Sequence, residues 1–379
     1  MVILYSLVVT TDTPKEKPPS RPDTTNIYRD AEDIFTKCRT QAWHECYKKE
    51  LPTLTYKKGL QHGEATLFAL QKIDPESRNC HVLAHFMAKE AVRRSPSLWE
   101  KLLDEVNVSA CGGGFLHGIL ETRIGYDPNL KVNSNLANEV CNRWDDPYKR
   151  KMCFHFMGHV FLVEKDGNVS ESIPECRNIT TPEFRFECYD GIFMEDHQKL
   201  ALAEHGITKL PIITPSYLSQ LRNDCLLYQG EEGQACWTEM AEMYAKLYHY
   251  DPKMVYENCY SADKEENKRS CYLKGVIVIS IYTGFDSPQK LISLCRPYDG
   301  KDEYMYKTCT SFILSGFMYY STNYINRAIT LCSALDSNRQ KWCFKELGDK
   351  LKTIIPISIE REKICKDLPA EYKYLCIEQ

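Results

Sequence analysis

The sequence contains no C-x-x-C pair and no C-x-x-C-H run, although it holds 18 cysteines. Clustered-thiolate zinc sites and covalent haem attachment are therefore excluded. There is no G-x-S-x-G elbow, no G-x-G-x-x-G or Walker-type loop, and no H-E-x-x-H. A serine nucleophile on a strand–turn–helix elbow, a nucleotide cofactor and a zincin-type site have no motif to rest on. Basic residues are in deficit, 48 Lys and Arg against 52 Asp and Glu for a net charge of −4, which argues against a nucleic-acid partner. No segment stays apolar for the ~18 residues a membrane span requires. Strand signals are nearly absent; VIVIS at 276–280 sits inside a helix-length segment.

What is present is ample material for a core. The 379 residues are 43% hydrophobic, with 24 Tyr, 14 Phe and 5 Trp, which excludes a disordered chain. The cysteines, taken in order as neighbours, make nine pairs, and seven of these are 11 to 14 residues apart. With thiolate clusters excluded, this reads as a ladder of local disulfides and implies an oxidising compartment, secreted or extracytoplasmic. Cys80–Cys111 is the least secure pair, since each resembles the second cysteine of a repeat whose first is missing. Residues 1–10, MVILYSLVVT, are apolar, and 12–25 read as a Pro-rich linker. Residues 1–25 are expected to be the remnant of a signal or anchor, the one route to a membrane. Sequons at Asn107, Asn168 and Asn178 permit glycosylation.

Aligning the cysteine pairs exposes a repeat. From Cys141 onward the first cysteines recur every 33 to 37 residues, apart from one step of 49. Between the Cys loops lie segments that read as two helices. In 236–259 one helix runs to about Tyr250, and Asp251-Pro252 caps the next. The same cap grammar recurs at Asp74-Pro75, Asp146-Pro147, Thr181-Pro182 and Ser287-Pro288. Each disulfide would tie the end of one hairpin to the start of the next. The expected fold is all-α: an α-solenoid or toroid of disulfide-stapled hairpins with a period of about 35 residues. That period is similar to the tetratricopeptide and Sel1-like arrays, whose consensus residues are missing. Residues 26–205 form a His-rich half and 206–379 a Tyr-rich half.

Five of the ten histidines stand on helices that begin at a cysteine: His81 and His85, His117, and His155 and His159. Positions i and i+4 share one helical face, so His81/His85, His117/Glu121 and His155/His159 are same-face pairs. A fourth helix carries Asp190 and Glu195 where the others carry imidazoles. The pairs stand at similar heights from their cysteines, so stacked helices would aim them into one space. With the thiols oxidised, such a set suits a divalent transition metal, zinc first, then iron, copper or manganese. The expected ligands are His81, His85, His117, His155 and His159. Glu121, Asp190 and Glu195 are the carboxylates for ligation or general-base work. The competing reading is packing, in which histidines bridge helices by hydrogen bonds.

Gly112, Gly113, Gly114, Gly118, Gly158 and Gly191 surround these residues. They imply close approach, either of a ligand or of a neighbouring helix. His62-Gly63 echoes His117-Gly118 as a degenerate first copy; His205 and His249 read as surface or packing. After Cys271 the equivalent positions turn apolar, at Leu273 and Ile277, so the second half reads as scaffold. Its tyrosines (304, 306, 319, 320, 324, 372, 374) read as packing, or as a face for a partner protein or glycan. Two functions fit. One is an extracytoplasmic metal-dependent enzyme, hydrolase before oxidoreductase. The other is a non-catalytic binding or scaffold solenoid.

Overall fold

From Ser134 onward short and long helices alternate. A computed structural model describes residues 24–40, 43–74, 77, 80–106, 110–126, 130–204, 207–282, 287–320, 325–354, 362 and 364–377. The apolar stretch and linker of 1–23, the Asn107 sequon, Pro75, His205 and Tyr324 lie outside these residues. So do the side chains of His44, Tyr319 and Tyr320. Among the described residues every element is an α-helix or a 3-10 turn, with no strand, and 276–280 lies inside a helix.

The long helices are α1 (Trp43–Lys58), α2 (His81–Arg94), α3 (Gly114–Tyr126), α4 (Pro147–Glu164) and α5 (Arg185–Gln198), then α6 (Gly230–Leu247), α7 (Glu265–Tyr282), α8 (Glu303–Tyr320) and α9 (Ser337–Ile354). Thr24–Cys38 and Leu60–Ile73 flank α1 and are as long as α2, and shorter helices precede most of the later ones, among them Ser134–Cys141, Pro215–Cys225 and Pro252–Cys259. Asp146 and Asp251 cap as their sequence implies. The Asp146 carboxylate accepts from the Tyr148 and Lys149 amides, and Asp251 from Lys253 and Met254, with proline at the first helical position. Ser287 caps Pro288–Leu294 in the same way. Thr181-Pro182 departs from the pattern: it opens a single 3-10 turn, Pro182–Phe184, and the threonine makes no side-chain cap.

All nine neighbour pairs are disulfides, Cys80–Cys111 included. Typically the first cysteine ends a short helix and the second stands in the opening turns of a long one, as Cys141–Cys153 and Cys225–Cys236 do. Every cysteine is buried, so the disulfides are spokes of one continuous core. On the loop-entropy estimate, each short loop contributes roughly 2–3 kcal/mol.

Successive long helices pack on each other from α1 through α9, and the α5–α6 contact carries this packing across the boundary at 205/206. Helix α8 also reaches back to the 110–113 turn. This succession is compatible with a hairpin solenoid that curls on itself. Tyr306 is buried beneath the Arg339 guanidinium, 3.7 Å from the ring centroid, whereas Tyr304 and Tyr374 are exposed.

Candidate metal centre

The site begins with helices allowed to touch. A Cβ on Gly114 would overlap the His81 carbonyl, and one on Gly118 the His85 carbonyl. Gly158 and Gly191 face each other across α4 and α5; a methyl on Gly191 would overlap the His155 carbonyl and stand 3.2 Å from the Gly158 Cα. The glycines thus serve helix–helix approach, and that approach is what brings the histidine-bearing faces together. Just before α3, Cys111, Gly112 and Gly113 are all left-handed, with φ of 52°, 59° and 83°. Glycine tolerates that geometry at no steric cost. The turn directs the Cys111 carbonyl at His81 Nδ1, 3.0 Å away.

The five imidazoles expected from sequence form one cluster. His117 lies at its centre, with ring centroids 5.1 Å from His81, 6.4 Å from His85, 6.1 Å from His155 and 5.8 Å from His159. His155 and His159 are 5.0 Å apart, His81 and His85 6.3 Å. His117 and His155 are buried, and the side chains of His85 and His159 keep 20% and 15% exposure, so the cluster has one wetter side.

The three carboxylates stand behind the rings. Glu121 Oε2 is 2.9 Å from His85 Nε2, on the neighbouring helix, so Glu121 is paired there across the helices. Asp190 Oδ2 is 3.1 Å from His155 Nδ1, and Glu195 Oε2 is 3.4 Å from His159 Nδ1. Glu195 is itself held by the Leu202 amide, which donates to its Oε1 at 2.9 Å. Four of the five rings therefore have one nitrogen turned to an oxygen acceptor, which fixes an N–H there and a lone pair on the other nitrogen. The consequence is sharpest at His155 and His159. Their Nε2 atoms, both lone-pair bearing on this assignment, face each other at 3.2 Å. Two acceptors at that distance repel unless a cation, a proton or a metal ion, lies between them.

Electrostatics favour the neutral ring at His81, His117 and His155. Burial, with the neighbouring His85 next, lowers the His81 pKa to about 4; burial lowers His117 well below its usual value. Burial also lowers His155, though Asp190 opposes the shift. For Asp190 burial alone would raise the pKa, but Lys274 and His155 outweigh it and keep the carboxyl ionised. Lys274 lies on α7, and its Nζ is 2.6 Å from Glu239 Oε1 of α6. Sequence reasoning missed this pair. Lys274 and Glu239 stand three residues after their cysteines, one step off the positions compared between repeats.

His197 lies apart from the cluster, with Nε2 3.7 Å and 4.0 Å from the sulfurs of Cys236 and Cys225. Among the described residues this is the one trio whose donor atoms all lie within 4.8 Å of one another. Its sulfurs form a disulfide and offer no thiolate to a metal. In the five-histidine cluster no trio is that close, so the facing His155/His159 pair is its tightest feature. His62 pairs with Asp30, Nε2 to Oδ2 at 2.6 Å, and His249 is an exposed left-handed residue.

Fold and site define a disulfide-stapled, all-helical protein of an oxidising compartment with a buried histidine cluster. No family model, curated protein or solved structure matches the chain. No helix among the described residues is long and apolar enough to cross a membrane.

Proposed function

We propose that this is an extracytoplasmic metal-binding protein whose histidine cluster holds a divalent transition metal, zinc first, and that the centre is catalytic, with hydrolysis the favoured chemistry. The observation that carries the reading is the His155/His159 pair. Two nitrogens bound tetrahedrally to one zinc at 2.0–2.1 Å stand about 3.4 Å apart, close to the 3.2 Å between the two Nε2 atoms. Oxygen acceptors behind the rings are the usual supports of histidine ligands, fixing tautomer and orientation.

The ligands are drawn from His81, His85, His117, His155 and His159, with a modest reorientation of the rings beyond the central pair. Asp190 and Glu195 hold rings in place. Glu121 backs His85 at rest, and with 21% of its side chain exposed on the wetter side it is the carboxylate that, on leaving His85 Nε2, takes a proton from an attacking water. A side open to solvent favours a catalytic over a purely structural site, which would be closed.

The test is elemental analysis of untagged protein secreted through an oxidising compartment. One or two equivalents of metal, lost in a His81→Ala/His155→Ala double variant, support the reading. Less than about a tenth of an equivalent after reconstitution with Zn, Fe, Mn and Cu overturns it, and leaves a shared proton between His155 and His159. A catalytic metal further requires that chelation abolish activity while the fold survives.

A further inference from the structure

His117 stands apart from the other four rings of the cluster. It projects from α3, between an i,i+4 pair on α2 and another on α4, and its centroid lies within 6.4 Å of every other ring in the cluster. It is 6% exposed, and its Nε2 has no hydrogen-bond partner. Phe156 lies against the ring, centroids 5.0 Å apart, and limits its tilt. A lone buried imidazole nitrogen with no partner is costly, and the cost is relieved when the nitrogen binds a cation. An imidazole carries its two nitrogens on opposite edges, so one ring can serve two metals about 6 Å apart. The flanking pairs supply two further nitrogens on each side: His155 and His159, whose Nε2 atoms already face each other, and His81 and His85, backed by Cys111 O and Glu121.

We propose that His117 is the shared ligand of a dinuclear centre, one metal completed by His155 and His159 and the other by His81 and His85. The inference rests on the metal reading above and deepens it. Each metal receives three nitrogens and keeps a position for water or substrate. The first metal binds the His117 lone pair. The second takes the place of the ring N–H, whose proton passes to solvent, and the resulting imidazolate is neutralised by the two cations. No electron is transferred.

Copper(II) is the probe, because two coppers joined through an imidazolate couple magnetically and two separate coppers do not. Folded, metal-free protein is titrated with Cu(II) and followed by spin-counted electron paramagnetic resonance. The expected result is uptake of two equivalents, with spin intensity rising to the first equivalent and collapsing at the second. Replacing one copper by Zn(II) restores the intensity of a single copper. In His117→Ala, every copper retained gives full intensity. The wild-type spin count decides the matter even where that variant fails to fold. Saturation at one equivalent, or two equivalents at full intensity in the wild type, overturns the bridge and leaves the metal centre standing. Failure to retain copper, zinc, iron or manganese overturns both.

Discussion

Asp190 accepts from His155 through Oδ2 and has Lys274 and Glu239 beside it, and its influence on the centre follows from its charge. A negatively charged acceptor on Nδ1 makes the opposite nitrogen more basic and a better ligand. Asp190→Asn keeps the shape and loses the charge, and metal affinity should fall about 10- to 100-fold, read by competition with a chelator at constant pH. An unchanged affinity would mean that His155 is not a ligand. Lys274 acts one step further out: with the ammonium gone, Glu239 and Asp190 face each other in a buried space. Lys274→Met should destabilise by about 3 kcal/mol, measured by urea unfolding, with Glu239 limiting the loss because burial already pushes its pKa well up. The five imidazoles were legible because they stand in i,i+4 pairs, His81/His85, His117/Glu121 and His155/His159, on helices phased by cysteines. Lys274 and Glu239 were not, because the α7 positions in phase with the histidines are Leu273 and Ile277, and a single residue of phase turns a helix by about 100°.

At the scale of the helix, the glycines decide how close the imidazole-bearing faces come. Gly191→Ala places a methyl on the His155 carbonyl, backbone against backbone, so α4 and α5 must separate. The cost should be about 1–3 kcal/mol, with loss of metal affinity, because Asp190 and Glu195 then withdraw from His155 and His159. Gly125→Ala is the control: an exposed glycine of α3 with nothing within 4 Å of an added Cβ. It should stabilise by about 0.5–1 kcal/mol. Equal effects in thermal melts of the two variants would refute the close-approach argument. The sequence left the purpose of these glycines open between a ligand and a neighbouring helix, since the residue type is the same for both. The disulfide ladder was more legible, because a cysteine closing a short helix and another opening a long one must lie together whenever the hairpins stack. Cys80–Cys111 is the exception: both cysteines stand just before long helices, α2 and α3, and the disulfide ties the starts of those two helices together.

For the whole molecule, the cluster makes stability depend on pH and on metal together. His81, His117 and His155 have folded pKa values below those of unfolded histidine, His81 at about 4. Below pH of about 6.5 the unfolded chain takes up protons that the folded rings refuse, so the unfolded state binds more protons and stability rises with pH. The histidine contribution is therefore complete above about 6.5 and is lost as pH falls toward 4, by a few kcal/mol in the metal-free protein. Metal adds to the same slope, since its ligands must be deprotonated. The metal-loaded and metal-free melting temperatures should differ most at pH 7 to 8 and converge near pH 4 to 5. Thermal unfolding of both forms across this range, with the disulfides intact, measures the gap. A gap that holds constant into acid would place the metal on groups other than these histidines. A melting temperature of the metal-free form that is flat from pH 7 to 4 would mean the rings are charged in the fold, and the facing Nε2 atoms of His155 and His159 would then be joined by a proton.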